Sequence, residues 1–358
     1  MFNLFGPRSY LGVDIGTASI KIAEIAKGEP KPRLINYGIL ESSGHLERVN
    51  NAIQTSSLKI VDKDVAELLK TIIKKSRFRT SDAIASIPSF SVFITLLEFP
   101  KMPKEEMVSA MTYQIKQYIP MPVTEVTFDW FVVGERQDNE GFFKEQILLV
   151  SVPNEVISKY KNIFKLAGLN LKSLEVESLS LIRSLVSGDP TTTIIVDIGA
   201  RSTNIAIADQ GALKYNQQTD FAGTVLTQAL SSGLGINIKR AEELKKERGL
   251  LGTGDEFDLS TLMMPYLDAI INETRRTKES YEQKTGTKVE RVILAGQGSK
   301  LLGIDKYFEK HLNLPTAIGD PLLRVKYSQE LSPLVKELAP GFAVAIGLGI
   351  REFRDYKS

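Results

Sequence analysis

Two stretches of the chain repeat one another. Residues 13–23 read VDIGTASIKIA and residues 196–206 read VDIGARSTNIA, so that seven of eleven positions are identical at a constant offset of 183 residues, without a gap. Each copy follows an apolar run that is typical of a buried strand and precedes another such run. Because the match includes the polar and glycine positions, chance similarity between two hairpins is the weaker explanation. The repeat predicts two α/β domains with similar cores, each carrying the same hairpin.

The residues of both hairpins suit a phosphate group. Gly16 and Gly199 would let backbone N–H groups approach an anion closely. Asp14 and Asp197 cannot face a phosphate without a cation between them, and Mg²⁺ held largely through water is the economical choice. Two such hairpins on two domains would hold one polyphosphate from both sides. The spacing differs from a Walker A loop, because no G-x-x-x-x-G-K-[ST] occurs in the chain. Small polar residues add hydroxyl donors: Thr17, Ser19, Ser202 and Thr203.

The composition disfavours several other chemistries. The chain has no cysteine, which removes disulfides, thiol catalysis and zinc–thiolate sites. Its two histidines, His45 and His311, have no H-x-x-x-H spacing, so that metal or triad chemistry built on histidine is not expected. A formal net charge of +2 gives no overall reason to bind nucleic acid.

The apolar segments are short. The start of the chain, Met1 to Gly16, has no basic region before its apolar residues and does not resemble a secretory signal. Near the end, the apolar stretch Phe342–Ile350 is far shorter than the roughly 20 residues of a membrane helix. We therefore expect a cytoplasmic protein whose contact with a membrane runs through a partner or a short amphipathic segment.

The doubled hairpin resembles the actin–Hsp70–sugar-kinase superfamily of ATP-binding proteins. The two phosphate hairpins of that superfamily match Leu11–Ile25 and Ile194–Ala208, and its adenosine motif matches Val292–Ser299. Ala241–Lys245 resembles a nucleoside-lining helix of bacterial actin homologues, with a solvated helix face as the alternative. The resemblance implies an actin-like (ribonuclease H-like) two-domain α/β fold that binds ATP with Mg²⁺ near Asp14 and Asp197. The nucleotide contacts that it implies are Gly16, Thr17, Ala18, Ser19, Lys21, Gly199, Ala200, Ser202, Thr203, Glu242, Lys245, Gly296, Gly298 and Ser299.

The middle of the first domain carries an insertion. Residues 92–176 show the order β-α-β-β-α-β of a small α+β subdomain, which is the placement found in the FtsA and PilM family of actin-like proteins. FtsA-like proteins usually end in an amphipathic membrane-targeting helix. The last residues here, 351–358, have no apolar face, which favours the PilM side of the family. We expect domain I in 1–91, the inserted subdomain in 92–176, a connecting helix in 177–190, domain II in 191–335, and a helix returning to domain I in 336–358.

The resemblance also implies a role in type IV pilus assembly. PilM-like proteins bind the N-terminal cytoplasmic peptide of the inner-membrane protein PilN beside the inserted subdomain, and other motor or platform proteins of the pilus are further candidates. Such a protein is recruited to the inner face of the cytoplasmic membrane through its partners, and self-association is left open. The helical stripe Met107, Met111, Ile115 and Tyr118 fits either a peptide groove or packing on the sheet of its own subdomain, and packing is favoured.

Catalysis has one candidate residue. Glu177 matches by position the polar residue that orients the attacking water in relatives, but Ser178 stands where proline or alanine often follows. We therefore expect slow or negligible hydrolysis, with the nucleotide acting as a clamp between domains. The alternatives are an FtsA-like cell-division protein and a sugar-kinase-like phosphotransferase. The second would need a base aimed at a substrate hydroxyl, and no such motif stands out.

A basic cluster ends the first predicted helix. Lys74, Lys75, Arg77 and Arg79 could meet acidic lipid or a charged partner. A solvated helix end is the favoured interpretation, because cations at a helix C-terminus are stabilised in any case.

Overall fold

The computed structural model describes residues 8–41, 62–137, 141–251, 259–329 and 337–353, so that His45 and residues 354–358 lie outside the described part. Its strands are β1 (Ser9–Ile15), β2 (Ser19–Ala26), β3 (Arg33–Glu41), β4 (Asp82–Ile87), β5 (Phe93–Pro100), β6 (Val126–Gln137), β7 (Phe143–Pro153), β8 (Asn170–Val176), β9 (Thr193–Ile198), β10 (Thr203–Asp209), β11 (Ala212–Thr219), β12 (Arg291–Ala295) and β13 (Thr316–Ile318). Its helices are α1 (Asp62–Ser76), α2 (Lys104–Tyr118), α3 (Asn154–Ala167), α4 (Glu177–Leu185), α5 (Gly223–Leu234), α6 (Ile238–Arg248), α7 (Leu259–Thr285), α8 (Ile304–Leu312) and α9 (Ala343–Gly349).

Two five-stranded sheets have the same topology. The first has the order β3-β2-β1-β4-β8 and the second the order β11-β10-β9-β12-β13. In each, three antiparallel strands come first, and two strands parallel to the central one complete the sheet. The repeated segments form the equivalent hairpins β1–β2 and β9–β10, in which Asp14 pairs with Lys21 and Asp197 with Asn204. The predicted two-domain α/β architecture is confirmed.

Burial explains the composition of the central strands. All eight residues of β2 are buried, and the side chains of β9 and β12 pack into one core with α7 and α8. Strands that are covered on both faces show continuous apolar runs rather than alternation, because neither face meets water. The described residues contain no helix that is both long and apolar enough to cross a bilayer.

The inserted segment forms a third sheet of three strands, with the order β5-β7-β6. Helix α2 covers one face of it: Met107, Met111 and Ile115 are buried against side chains of β5 and β7, whereas Tyr118 is 37% exposed. The methionine stripe is therefore core, as the packing interpretation predicts.

The predicted unit 92–176 has the expected order of elements, but its last two elements belong with the first sheet rather than with the third. β8 pairs in parallel with β4, and α3 packs beside α1 through Tyr160, Ile163 and Phe164. A parallel strand needs a crossover helix to reach its partner, and α3 provides it. The domain limits themselves stay a prediction.

One buried cation joins the third sheet to the second domain. The ammonium of Lys214, on β11, donates to the carbonyl oxygen of Val133 at 2.7 Å and to Oε1 of Gln146 at 2.6 Å. Its side chain is buried, which lowers the pKa of Lys214. The inserted sheet is thus bound to the strand that neighbours the second hairpin.

The two connecting helices cross without side chains between them. A Cβ atom on Gly347 of α9 would lie 2.0 Å from the carbonyl oxygen of Ser180 in α4, and one on Gly12 of β1 would lie 1.9 Å from the carbonyl oxygen of Ala345. A buried ion pair supports the crossing, because Arg183 binds both carboxylate oxygens of Glu175 at 2.6 and 2.7 Å and the carbonyl oxygen of Gly347. Backbone packs directly on backbone at this point.

We predict that Gly347→Ala destabilises the protein by at least about 2 kcal/mol, because the added methyl group displaces backbone rather than a flexible side chain. Helix propensity alone would give the opposite sign, a gain of up to about 1 kcal/mol. Urea unfolding followed by circular dichroism measures the difference. Gly188→Ala is the control: its Cβ would meet nothing within 4 Å and its φ is +77°, so only the cost of a left-handed alanine, about 1–2 kcal/mol, is expected. A stabilised Gly347→Ala variant would contradict the close packing.

Candidate functional site

The two hairpin tips are built alike. The N–H of Gly16 donates to the carbonyl oxygen of Ser19 at 3.0 Å, and that of Gly199 donates to the carbonyl oxygen of Ser202 at 3.0 Å. A Cβ at either glycine would crowd the same carbonyl oxygen, at 3.0 Å in the first hairpin and 2.8 Å in the second. Closure of the two turns therefore explains why glycine stands at both positions. The N–H groups of these glycines already serve as hydrogen-bond donors within the turns. The exposed positions of the tips are the residues that follow.

The predicted hydroxyl donors are not equivalent. Thr17 and Ser202 are partly exposed at the tips, with Ala18 and Ala200 beside them, whereas Ser19 is buried. Thr203 is fully buried and its hydroxyl donates to the carbonyl oxygen of Phe221 at 2.7 Å. Thr17 and Ser202 are thus partly exposed at the two hairpin tips, whereas Thr203 lies beneath the surface.

Three carboxylates from separate elements converge between the hairpins. Asp14 is buried, accepts a hydrogen bond from Ser86 at 3.0 Å and pairs with the ammonium of Lys21 at 3.3 Å. Burial, and then the charge of Asp14, raises the pKa of Asp197 to about 6. Burial, followed by the charges of Asp14 and Asp197, raises the pKa of Glu177 well above its usual range. The cleft concentrates negative charge that Lys21 opposes.

No direct metal cage is present among the described residues, where no three histidine, cysteine, aspartate or glutamate side chains are placed to hold one ion. Asp14 and Asp197 stand at equivalent positions of the two hairpins. Each offers hard oxygen atoms, which Mg²⁺ accepts together with water.

A buried polar network that the sequence analysis did not anticipate crosses between the domains at Ser178. The Ser178 hydroxyl accepts from Nδ2 of Asn204 at 2.9 Å, donates to Oδ1 of Asn216, and lies 3.2 Å from the hydroxyl of Ser89. Oδ1 of Asn204 is buried and has no hydrogen-bond partner in the structure. Asn204 stands at the position in the second hairpin that Lys21 occupies in the first. Ser178 is the residue at which the sequence departs from the family pattern.

A second unanticipated residue is Tyr160, from α3. Its side chain is 1% exposed and its hydroxyl has no hydrogen-bond partner in the structure. Burial, followed by the charges of Glu177 and Asp14, raises the pKa of Tyr160 above its ordinary value. Nothing in the sequence pattern distinguished this tyrosine from other core residues of a helix.

The predicted nucleoside helix is joined to the second hairpin. The ammonium of Lys245 pairs with Glu242 at 2.7 Å and donates to the hydroxyl of Thr227 at 2.7 Å and the carbonyl oxygen of Gly223 at 3.0 Å. The N–H of Gly223 in turn donates to the carbonyl oxygen of Gly199 at 3.1 Å. Lys245 is thus mostly buried and points inward, unlike a residue of a solvated helix face.

The glycine-rich turn after β12 packs against the end of β9. A Cβ on Gly296 would lie 2.4 Å from Oδ1 of Asp197, and one on Gly298 would lie 2.2 Å from Cγ2 of Ile198. Ser299 is buried and its hydroxyl donates to the carbonyl oxygen of Gly296 at 2.8 Å. Close packing requires these glycines, and it places the turn directly beside the cleft carboxylate.

We predict that Asp197→Asn stabilises the ligand-free protein at neutral pH. The folded protein holds the Asp197 proton more tightly than the unfolded chain does, so stability falls as pH rises from about 4 through about 6. The asparagine removes this loss, which amounts to about 1–3 kcal/mol above pH 6. Urea unfolding at pH 5 and pH 7.5 in metal-free buffer measures it.

Asp189→Asn is the control with the opposite sign. Hydrogen bonds from Thr191 and Arg291 lower the pKa of Asp189 to about 2, so its ionisation stabilises the fold above the ordinary carboxyl pKa. This variant should be less stable than the parent at pH 7.5. The same sign for both variants would contradict the electrostatics of the cleft.

Comparisons with known structures support the fold. The structure described as a PilM-PilN type IV pilus biogenesis complex superposes with a TM-score of 0.81 at 22% identity, over 97% of this chain and 99% of that chain. The ethanolamine utilization protein EutJ from Carboxydothermus hydrogenoformans gives a TM-score of 0.58 at 15% identity, over 97% and 91%. MreB5 of Spiroplasma citri bound to AMPPNP gives 0.54 at 16% identity, over 96% of each chain. The expected actin-like fold is confirmed.

Curated relatives of this chain include cell-division proteins. FtsA of Neisseria meningitidis serogroup B is 23% identical over 227 residues, which cover 57% of this chain and 53% of FtsA. FtsA of Enterococcus faecalis is 21% identical over 261 residues, which cover 67% and 58%. The chain thus spans a little over half the length of these relatives.

The family model described as type IV pilus assembly protein PilM matches residues 12–353, which include both hairpins, the inserted sheet and the two connecting helices. With the fold and the doubled hairpin site, this match over nearly the whole chain shows that the protein belongs to the PilM family of type IV pilus assembly proteins.

Proposed function

We propose that the protein binds ATP with Mg²⁺ between the two hairpins and that the bound nucleotide sets the angle between the domains. The observation that carries the proposal is the convergence of Asp14, Asp197 and Glu177, which come from both domains and the helix between them. Because these carboxylates repel one another, a cation bound between them would stabilise the site. Bound Mg²⁺ would supply positive charge between the carboxylates and the phosphates.

The residues around the carboxylates fit a nucleotide. We assign the phosphates to the exposed tips, where Thr17 and Ser202 carry hydroxyl groups, and the nucleoside to the side lined by Lys245 and Gly296. Among the other predicted contacts, Thr203 and Ser299 act by holding the backbone, because their hydroxyls are bound internally. The likeness of the fold to MreB5 solved with AMPPNP supports this placement.

The placement of the hairpins on two sheets supports a closing clamp. Each hairpin belongs to a different sheet, so only the closed state lets one ligand touch both tips. The ligand stabilises closure by the difference between its affinities for the closed and open states. The hydrogen bonds between Ser178 and its partners on the second sheet, Asn204 and Asn216, would respond to that movement.

We predict that Asp14→Asn weakens binding of Mg·ATP at least tenfold and binding of metal-free ATP less than threefold, because it removes a carboxylate that faces the cation. Calorimetric titrations with MgCl₂ and with EDTA give both constants. Asp64→Asn, which removes an exposed carboxylate from α1 outside the cleft, is the matched control and should change neither. Equal losses for the two forms of ATP would show that Asp14 does not serve the metal.

We further propose that the protein acts as a platform for the N-terminal cytoplasmic peptide of a PilN-like inner-membrane protein, which would recruit it to the inner face of the membrane. Membership of the PilM family and the likeness to the PilM-PilN complex support this partner. Since the methionine stripe is buried, the outward face of α2 is the better candidate for the peptide. Val108 and Tyr113 are 46% and 80% exposed there.

Slow hydrolysis is expected because Glu177 is the one candidate for the residue that orients the attacking water, and Ser178 stands where proline or alanine often follows in relatives. In the ligand-free protein, burial, followed by the charges of Asp14 and Asp197, raises the pKa of Glu177. The clamp needs no fast turnover to act on a partner.

We predict steady-state ATP hydrolysis well below the usual enzyme range of about 1–10³ s⁻¹, both with and without a PilN-like peptide, and little change on Glu177→Ala. Phosphate release measures the rate, and fluorescence anisotropy of the labelled peptide confirms binding. Tyr113→Ser should weaken binding of the peptide. Leu323→Ser, which changes an exposed apolar residue outside the subdomain, should not weaken it. Turnover within that range that Glu177→Ala abolishes would make the protein an ordinary ATPase.

A further inference from the structure

A β-bulge interrupts β11 near its start. Tyr215 pairs with Ile207 of β10 and Leu213 pairs with Ala208, so that Lys214 is an extra residue without a partner on β10. A bulge turns the side chain of its extra residue away from the direction that the regular strand would give it. Here the ammonium of Lys214 leaves the second sheet and binds the inserted sheet.

A second bulge, on β6 of the inserted sheet, receives that ammonium. The pairing of β6 with β7 shifts between Val132 and Gly134, which leaves Val133 as the extra residue. The carbonyl oxygen of Val133 accepts from the ammonium of Lys214 at 2.7 Å. A Cβ on Gly134 would lie 2.5 Å from that ammonium, so glycine at this position leaves room for it. The two bulges therefore form one contact between two sheets.

An arginine crosses the same interface in the opposite direction. Arg136 of β6 donates to the carbonyl oxygen of Lys284, at the end of α7 in the second domain, at 2.9 Å. The last carbonyl groups of a helix have no partner within it, so the guanidinium satisfies one of them. The same guanidinium lies 3.4 Å from Oε1 of Glu98, to which Gln146 donates at 3.5 Å. One cation of each partner thus binds a backbone carbonyl of the other.

Apolar packing also sets the inserted sheet against both domains. Leu148 and Val150 of β7 lie in a buried apolar cluster. The same cluster includes Tyr10 and Ile84 of the first sheet and Leu213 of the second, which precedes the bulge of β11. Apolar contacts are not directional, whereas a hydrogen bond to a single carbonyl oxygen requires one distance and one angle. The two cations therefore determine the relative position that the apolar surfaces adopt.

The contact lies away from the candidate nucleotide site. Five residues of β11, or about 17 Å, separate Lys214 from Thr219. Thr219 pairs with Thr203, at the start of β10 beside the tip of the second hairpin. Because the inserted sheet belongs to the first domain and β11 to the second, any rotation of one domain relative to the other changes the distances across this contact.

The chemistry of the contact suits one that opens and forms again. Lys214 is buried, and both of its acceptors, the carbonyl oxygen of Val133 and Oε1 of Gln146, are neutral. The charges of Asp209 and Glu98 act on the ammonium, but neither carboxylate forms an ion pair with it in the part of the chain that the structure describes. A buried ammonium without an ion pair is costly to keep from water. Rotation of the domains would return it to water and recover that cost.

We propose that Lys214 and Arg136, with the groups that they bind, form a brace that holds the second domain at one angle to the first and opens when the domains rotate apart. In the ligand-free protein the carboxylates of the two hairpins repel one another, and the charge of Asp14 acts on Asp197. That repulsion favours separation of the hairpins, and a contact at the other end of β11 can oppose it. The inference does not depend on nucleotide binding, because the brace acts in the ligand-free protein.

The distance between two spin labels on the full, ligand-free chain tests the proposal. Since the chain has no cysteine, Asp64→Cys on α1 and Lys239→Cys on α6 place one label on an exposed position of each domain. Double electron–electron resonance should give one narrow distance distribution for the protein with an intact brace. Adding Lys214→Met and Arg136→Gln removes both cations of the brace and should widen that distribution about twofold or more, because several domain angles become populated.

Lys306→Met with Arg276→Gln is the matched control. It makes the same chemical changes at exposed residues of the second domain, which pair with Glu309 and Glu273 on their own helices. The distance distribution should stay as narrow as in the protein with an intact brace.

Three results would overturn the proposal: a broad distribution when the brace is intact, no widening in the brace variant, and equal widening in the control. If circular dichroism shows that the double variant does not fold, Gly134→Ala takes its place. This change keeps both charges, and its methyl group would lie 2.5 Å from Nζ of Lys214 and displace the ammonium. It should also widen the distribution, and an unchanged width would then overturn the proposal.

Discussion

Direct contact between backbones at the centre of the molecule determines how the rest is arranged. Helix α9 touches β1 where Gly12 faces Ala345, and touches α4 where Gly347 faces Ser180. Because no side chain separates them, the two connections between the domains cannot slide past one another. The pair of Arg183 and Glu175 adds a buried charge contact that would be costly to break. Both connecting helices share a hydrophobic core with strands of both sheets, including Ile195 and Ala295 of the second.

Polar contacts also join these helices to the second sheet. The network at Ser178 is one such contact, since it reaches Asn204 and Asn216 on the second sheet. Asn204 lies in the hairpin strand, opposite Asp197. A ligand between the hairpins would act on the same strand that this network binds. The candidate site and this network are therefore adjacent.

Local and repeated features of this fold could be predicted from the sequence, whereas features that depend on distant neighbours could not. Seven shared positions in eleven were enough to predict two equivalent hairpins and two similar domains. The partner of β8 was not predictable, because the pairing with β4 joins segments far apart in the chain. Nor could a pattern tell that Gly296 serves close packing against Asp197, or that the buried hydroxyl of Tyr160 has no hydrogen-bond partner among the residues that the structure describes. Both facts depend on tertiary contacts.

The bond from Lys214 to the inserted sheet has a thermodynamic consequence. β11 carries Lys214 and is hydrogen-bonded along its length to β10, which carries the second hairpin. A peptide that shifts the inserted sheet and a nucleotide that shifts the hairpin would then act on one continuous sheet. Linkage requires reciprocity: if the peptide changes the affinity for nucleotide by some factor, the nucleotide changes the affinity for the peptide by the same factor. The buried ammonium of Lys214 would thus couple the binding of the two ligands, with no covalent chemistry at either site.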